Sequence, residues 1–157
     1  MTGGVYPLIS PSDASTHSAD AAVDHLYLIT AWVAGQQPLF DDFLAGRLLV
    51  DVLRQQLHRA DTWAYVVMPD YLHWLVKLRA GMSLHKLVEQ VLKQSSQAVM
   101  RYLGLPGLLW REQYRQQRVW HMTQARTLAR QLVAAPRQAG LVSAVGDYPL
   151  WDARQWL

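Results

Sequence analysis

The stretch Trp63-Ala64-Tyr65-Val66-Val67-Met68-Pro69-Asp70-Tyr71-Leu72-His73-Trp74-Leu75-Val76-Lys77-Leu78 decides the fold. Thr62 to Met68 is dense in β-branched and aromatic residues, and Pro69-Asp70 ends it as a turn ends a strand. Beyond the turn the residues alternate. Leu72, Trp74, Val76 and Leu78 fall on one face, and Tyr71, His73, Leu75 and Lys77 on the other. Tyr71 and His73 are therefore neighbours on one side of a sheet.

The chain on either side fits a regular order. His25 to Val33 reads as a buried strand that stops at Gly35. Leu44, Leu48, Leu49, Val52, Leu53 and Leu57 recur at three- and four-residue steps, which predicts an amphipathic helix. Ser83 is a suitable N-cap for a second helix, whose stripe of Leu84, Leu87, Val88, Val91, Leu92, Ser95, Val99 and Tyr102 runs to Gly104. Tyr114 to Trp120 suggests a fourth strand, and Thr123 to Ala135 a third helix stopped by Pro136. Strand-helix-strand, repeated, is the ferredoxin-like split βαβ arrangement: an α+β fold with an antiparallel sheet and helices on one face. Residues 1–22 mix Gly, Pro, Ser, Thr and Asp without a period and predict a flexible arm, leaving 23–157 as a single domain.

Composition removes several classes of function. With 51% hydrophobic and 17% charged residues, the 157-residue chain is neither fibrous nor largely disordered. It has no Cys, so disulfide staples, thiolate zinc sites and a thiol nucleophile are excluded. No apolar run approaches the roughly 20 residues of a membrane span, and no leader pattern opens the chain. The expectation is a cytoplasmic protein with no membrane partner. Charge is strongly segregated: residues 1–76 hold three basic and eight acidic side chains, whereas residues 77–145 hold eleven basic and two acidic. Such a segment attracts polyanions and releases counterions from a phosphate backbone. The candidates for phosphate contact are Lys77, Lys86, Lys93, Arg101, Arg111, Arg115, Arg118, Arg126 and Arg130. The seven Trp and seven Tyr are suited to stacking bases, but Trp63, Trp74 and Trp110 fall on inward faces and are assigned to the core.

Four ordered blocks resemble the REP-associated tyrosine transposases, a branch of the single-tyrosine HUH (insertion-sequence-200-like) family. Residues 63–76 resemble its Ala-aromatic-Val-Val-Met-Pro-Asp-His-hydrophobic-His strand pair. Gln37-Pro38-Leu39-Phe40 is similar to its Arg-Pro-Leu-Phe turn, and Leu109-Trp110-Arg111-Glu112-Gln113-Tyr114 to its Ile-Trp-Gln block. Pro136 to Val142, followed by Asp147-Tyr148-Pro149-Leu150, is similar to its closing motifs. Together the blocks extend over residues 25–151.

The resemblance implies DNA, single-stranded or in a REP-type hairpin, as the partner. It also implies a divalent metal, Mg²⁺ or Mn²⁺, on two strand histidines, and a helix tyrosine that forms a 5′-phosphotyrosine link. The second histidine is present as His73, while the first position holds Tyr71. A phenol of pKa about 10 is a far poorer ligand than imidazole. The nucleophile position holds Gln131, which cannot form the covalent link, and the asparagine that the family places near the metal is Ala135. The expectation is a DNA-binding protein deficient in cleavage, with no metal or a weakly held one, acting as a monomer. Two other readings stand beside it. One is a working transposase with Tyr71 or another tyrosine as nucleophile, and the other an interaction module that keeps only the fold.

Overall fold

The computed structural model describes residues 20–157. Eight principal elements follow one another: β1 (Ala22–Trp32), α1 (Phe43–Arg54), β2 (Ala60–Met68), β3 (Tyr71–Leu78), α2 (Leu84–Leu103), β4 (Arg115–His121), α3 (Met122–Gln138) and β5 (Trp151–Ala153). The strands form one sheet in the order β4-β1-β3-β2-β5, with every neighbouring pair antiparallel. Its first four strands and two helices trace the split βαβ arrangement that the sequence predicts.

Local chemistry sets the helix ends. Ser83 Oγ accepts from Lys86 N–H at 3.3 Å and opens α2, and Gly104 closes it in the left-handed conformation at φ 68°. Asp42 caps α1 by accepting from Leu44 and Ala45 N–H at 3.0 and 3.2 Å. The N-terminus of α3 is capped from outside its own segment, where Asp20 Oδ1 accepts from Thr123 N–H at 2.9 Å. Residues 20–22, read from sequence with the arm, thus belong to the fold, and the remainder of that arm lies outside the described residues.

The alternation of β3 divides two cores. Leu72, Trp74 and Val76 pack with Leu49 and Leu53 of α1 and Val88 and Val91 of α2. Leu75 joins Leu28, Val66 and Val119 against Ala125, Ala129 and Leu132 of α3. Helices on one face, the sequence expectation, describes α1 and α2; α3 covers the other face. The reason is the apolar second face of the sheet, which two helices on one side would leave in water. The alanines of α3 allow it to lie close against that face.

Some predicted core positions lie at the surface. Leu44 and Leu57, assigned to the apolar stripe of α1, are 54% and 62% exposed, because the helix ends at Arg54 and its stripe is narrower. Tyr102 is also exposed, and its hydroxyl donates to the Asp42 carboxylate at 3.1 Å. Pro136 lies inside the last turn of α3, three residues before the Ala139 cap, and is buried.

The segment after α3 returns across β2. Leu150 C=O accepts from Val67 N–H at 2.9 Å, and the Tyr148 hydroxyl donates to Val67 C=O. Leu150 enters the α1 side of the core, where it sits against Gly46, while Trp151 and Ala153 pack on the α3 side. The closing segment therefore straddles the edge of β2.

Candidate nucleic-acid interface

Tyr71 and His73 stand side by side at the start of β3, on the face that α3 covers. Their ring centroids are 4.8 Å apart in an edge-on arrangement. Burial, aided by the Asp70 carboxylate, raises the Tyr71 phenol above its ordinary pKa. Burial and the nearby Arg115 guanidinium lower that of His73. Both groups are thus held neutral at physiological pH.

Strand register explains how Arg115 reaches this pair. Thr30 of β1 pairs with His73 on one side and with Arg115 of β4 on the other. Trp32, next along the same face, pairs with Tyr71. Arg115 and Arg111 both lie over the Trp32 ring, at 5.6 and 5.9 Å from its centroid. Trp32, Tyr71, His73, Arg111 and Arg115 form one aromatic and cationic patch. Sequence patterning nominates Arg111, Arg115, Tyr71 and His73 but not Trp32. The alternation of β1 that puts Thr30 and Trp32 on one face was the available signal.

The other candidates are spread over both layers. Lys86, Lys93 and Arg101 are exposed on α2, Arg130 is exposed on α3, and Arg126 is half-buried there. β4 is the strip between them, with Arg115 on the α3 side and Arg118 on the α2 side. Arg118 stacks between Tyr27 and Trp120, 5.2 and 4.3 Å from their centroids, and donates to the Tyr27 hydroxyl at 3.3 Å. Lys77 is half-buried at the far end of β3, some six residues and about 20 Å from Tyr71.

The remaining positions implied by the resemblance lie on α3, and Ala135 packs on the same core cluster as Tyr71. Gln131 is exposed on α3, and among the described residues no hydrogen bond or ring contact links it to Tyr71 or His73. Ala135 is half-buried against the α3 side of the core. Nor does the donor set suit a divalent cation. It offers one imidazole and one phenol held protonated, with a guanidinium close enough to disfavour positive charge on His73. Among the described residues, no group of three or more His, Asp or Glu side chains is placed to share an ion.

The blocks that carry the family resemblance meet in space. Phe40 packs on Trp110 with ring centroids 5.6 Å apart, and its N–H donates to Pro69 C=O at 3.0 Å. No family model matches the chain, and no curated protein does so significantly. Solved structures do share its fold. A REP-associated tyrosine transposase, solved bound to a REP hairpin, superposes with a TM-score of 0.65 at 18% identity, over 83% of this chain and 78% of that one. A Deinococcus radiodurans R1 protein provisionally named a transposase gives 0.52 at 20% identity, over 69% of this chain and 87% of its own. At these identities the likeness is one of fold. Among the described residues, no helix is long and apolar enough to cross a membrane.

Proposed function

We propose that this chain is a DNA-binding protein of the REP-associated transposase type that holds single-stranded or hairpin DNA without cleaving it. The observation that carries the reading is the patch itself. Where the resemblance calls for a metal on two histidines, there is one neutral imidazole facing a guanidinium. Arg115 and Arg111 supply positive charge to a phosphate directly, as five-donor forks that engage its oxygens in pairs. Trp32 offers a ring on which an unpaired base can stack. Fold likeness to a protein solved with a REP hairpin, and the agreement of four sequence blocks with the same family, support DNA as the partner.

No reaction follows from these residues. Tyr71 stands where the resemblance calls for a metal histidine, and Gln131, which has no nucleophilic oxygen, stands where it calls for the tyrosine. The chain is expected to bind as a monomer.

The test is a mobility shift with a labelled REP-type hairpin carrying a single-stranded tail, run in EDTA and in Mn²⁺, with a parallel denaturing gel. Equal shifts in both conditions with no covalent adduct are expected. An adduct on the denaturing gel would overturn the cleavage-deficient reading, and the absence of any shift would overturn DNA binding.

A further inference from the structure

A groove of about 600 Å³ lies on the α2 side of the molecule, between that helix and the segment 108–114. Its volume is within the usual range of a small-ligand site. Its floor is fixed. Trp110, 6% exposed, donates from Nε1 to Ser95 Oγ at 2.9 Å, and Leu109 N–H donates to Ser96 Oγ at 3.0 Å. Tyr114 forms one wall, its hydroxyl 3.5 Å from His85 Nδ1, while His85 Nε2 is 2.9 Å from the Glu89 carboxylate. The phenol ring itself is half-buried against the α1–α2 side of the core.

The charges in this groove differ from those on β4. Lys93 and Arg111 are balanced by Glu89 and Glu112, so the groove is no phosphate trough. It presents an aromatic wall, an apolar floor, and hydrogen-bonding groups of both kinds, including the Gln97 amide. That is the chemistry of a nucleobase, which has apolar faces and an edge of mixed donors and acceptors. Cations stand at its rim: Arg111, a lining residue, also lies over the Trp32 ring, and Arg101 is one turn beyond Gln97 on the same stripe of α2.

From this we infer that the groove seats one unpaired base of the bound DNA, stacked against Tyr114, with the flanking phosphates on the cations at its rim. The inference rests on the DNA-binding reading and adds a location and a base-level contact to it. Duplex DNA cannot fill the groove without extruding a base, so the site favours single-stranded segments over paired ones.

The probe is a DNA hairpin with a single-stranded tail carrying 2-aminopurine, compared with the same hairpin without a tail. Tyr114→Ala should weaken binding of the tailed hairpin between about 5-fold and about 140-fold, from a stacking contribution of about 1–3 kcal/mol per base. It should leave the blunt hairpin unchanged and abolish the fluorescence change of 2-aminopurine. Gln97→Trp, which fills the groove from an exposed position on α2, should act in the same way and serves if Tyr114→Ala fails to fold. If wild-type protein binds the tailed hairpin and neither variant alters affinity or fluorescence, the groove assignment fails while DNA binding stands. If wild-type protein binds neither hairpin, both fall. Equal losses on tailed and blunt hairpins would also overturn the base site. So would a concentration-dependent dimer in sedimentation that Leu108→Glu, at a 77% exposed rim position, dissolves, since a second copy would then occupy the groove.

Discussion

His73 and Arg115 flank the same residue, Thr30, from opposite sides, so one strand of backbone separates an imidazole from a permanent cation. Burial and this cation together lower the His73 pKa below its ordinary value of 6.5. The unfolded chain therefore takes up a proton before the folded one does. Stability tied to neutral His73 is complete above pH about 6.5 and is lost as pH falls towards the folded-state pKa. An NMR titration of the His73 ring should show the lowered pKa, and Arg115→Gln should raise it part of the way back. An unchanged pKa in that variant would mean that the guanidinium does not reach the ring in solution.

Arg115→Gln should also weaken DNA binding evenly across sequences. Removing one phosphate contact lowers the slope of log affinity against log salt by about 0.7–0.9. Affinities measured between low and moderate salt for both proteins test this. Parallel slopes would remove Arg115 from the phosphate interface.

Tyr148 ties the closing segment to β2 through its hydroxyl on Val67 C=O, and burial together with Asp41 and Tyr71 pushes its pKa up to about 12. Tyr148→Phe leaves that carbonyl short of a partner and should cost about 1–2 kcal/mol in urea unfolding. With a folded-state pKa above the ordinary 10.0, Tyr148 contributes stability that is present below pH about 10 and lost as pH rises towards 12. Absorbance titration of phenolate in the native protein and in Tyr148→Phe should differ by one phenol that ionises near pH 12. A difference that ionises near pH 10 would contradict the contact.

Gly46 is in α1, where alanine would ordinarily gain about 1 kcal/mol of helix propensity. Here a methyl group would run into Leu150 Cδ1, and Leu150 is 2% exposed. Gly46→Ala should therefore lose about 1 kcal/mol net, because overpacking a fixed core costs about 1–3 kcal/mol. Leu150→Val introduced in the same chain should recover part of the loss. A more stable single variant would show that the Leu150 side chain moves freely.

Much of this was legible in the sequence because its signals are local. The β2–β3 pair, the alternation that sets Tyr71 beside His73, and the Ser83 and Gly104 ends of α2 depend on neighbours a few residues apart, and the structure matches each. What escaped depends on distant partners. β5 is three residues long and exists as a strand only through its pairing with β2, so no periodicity announces it. The placement of α3 on the opposite face follows from the two-sided burial of β1 and β2, which a one-layer template does not use. His25, with φ 54°, marks a bulge between the ends of β1 that composition alone does not signal. At the candidate site, the sequence supplied the identities of Tyr71, His73 and Arg115. Only strand register revealed that the guanidinium is the electrostatic neighbour of the imidazole, and that Trp32 completes the patch.

Helices on both sides leave the sheet little surface to offer a ligand, and its long open rim is β4. Seven residues of strand extend about 23 Å, the contour of roughly seven nucleotides at 3.4 Å per step in one strand of a duplex. A footprinting experiment should therefore report a protected tract shorter than one turn of the double helix. Recognition on that scale would be decided by how a nucleic acid bends or opens locally, because so few base pairs can be in reach at once.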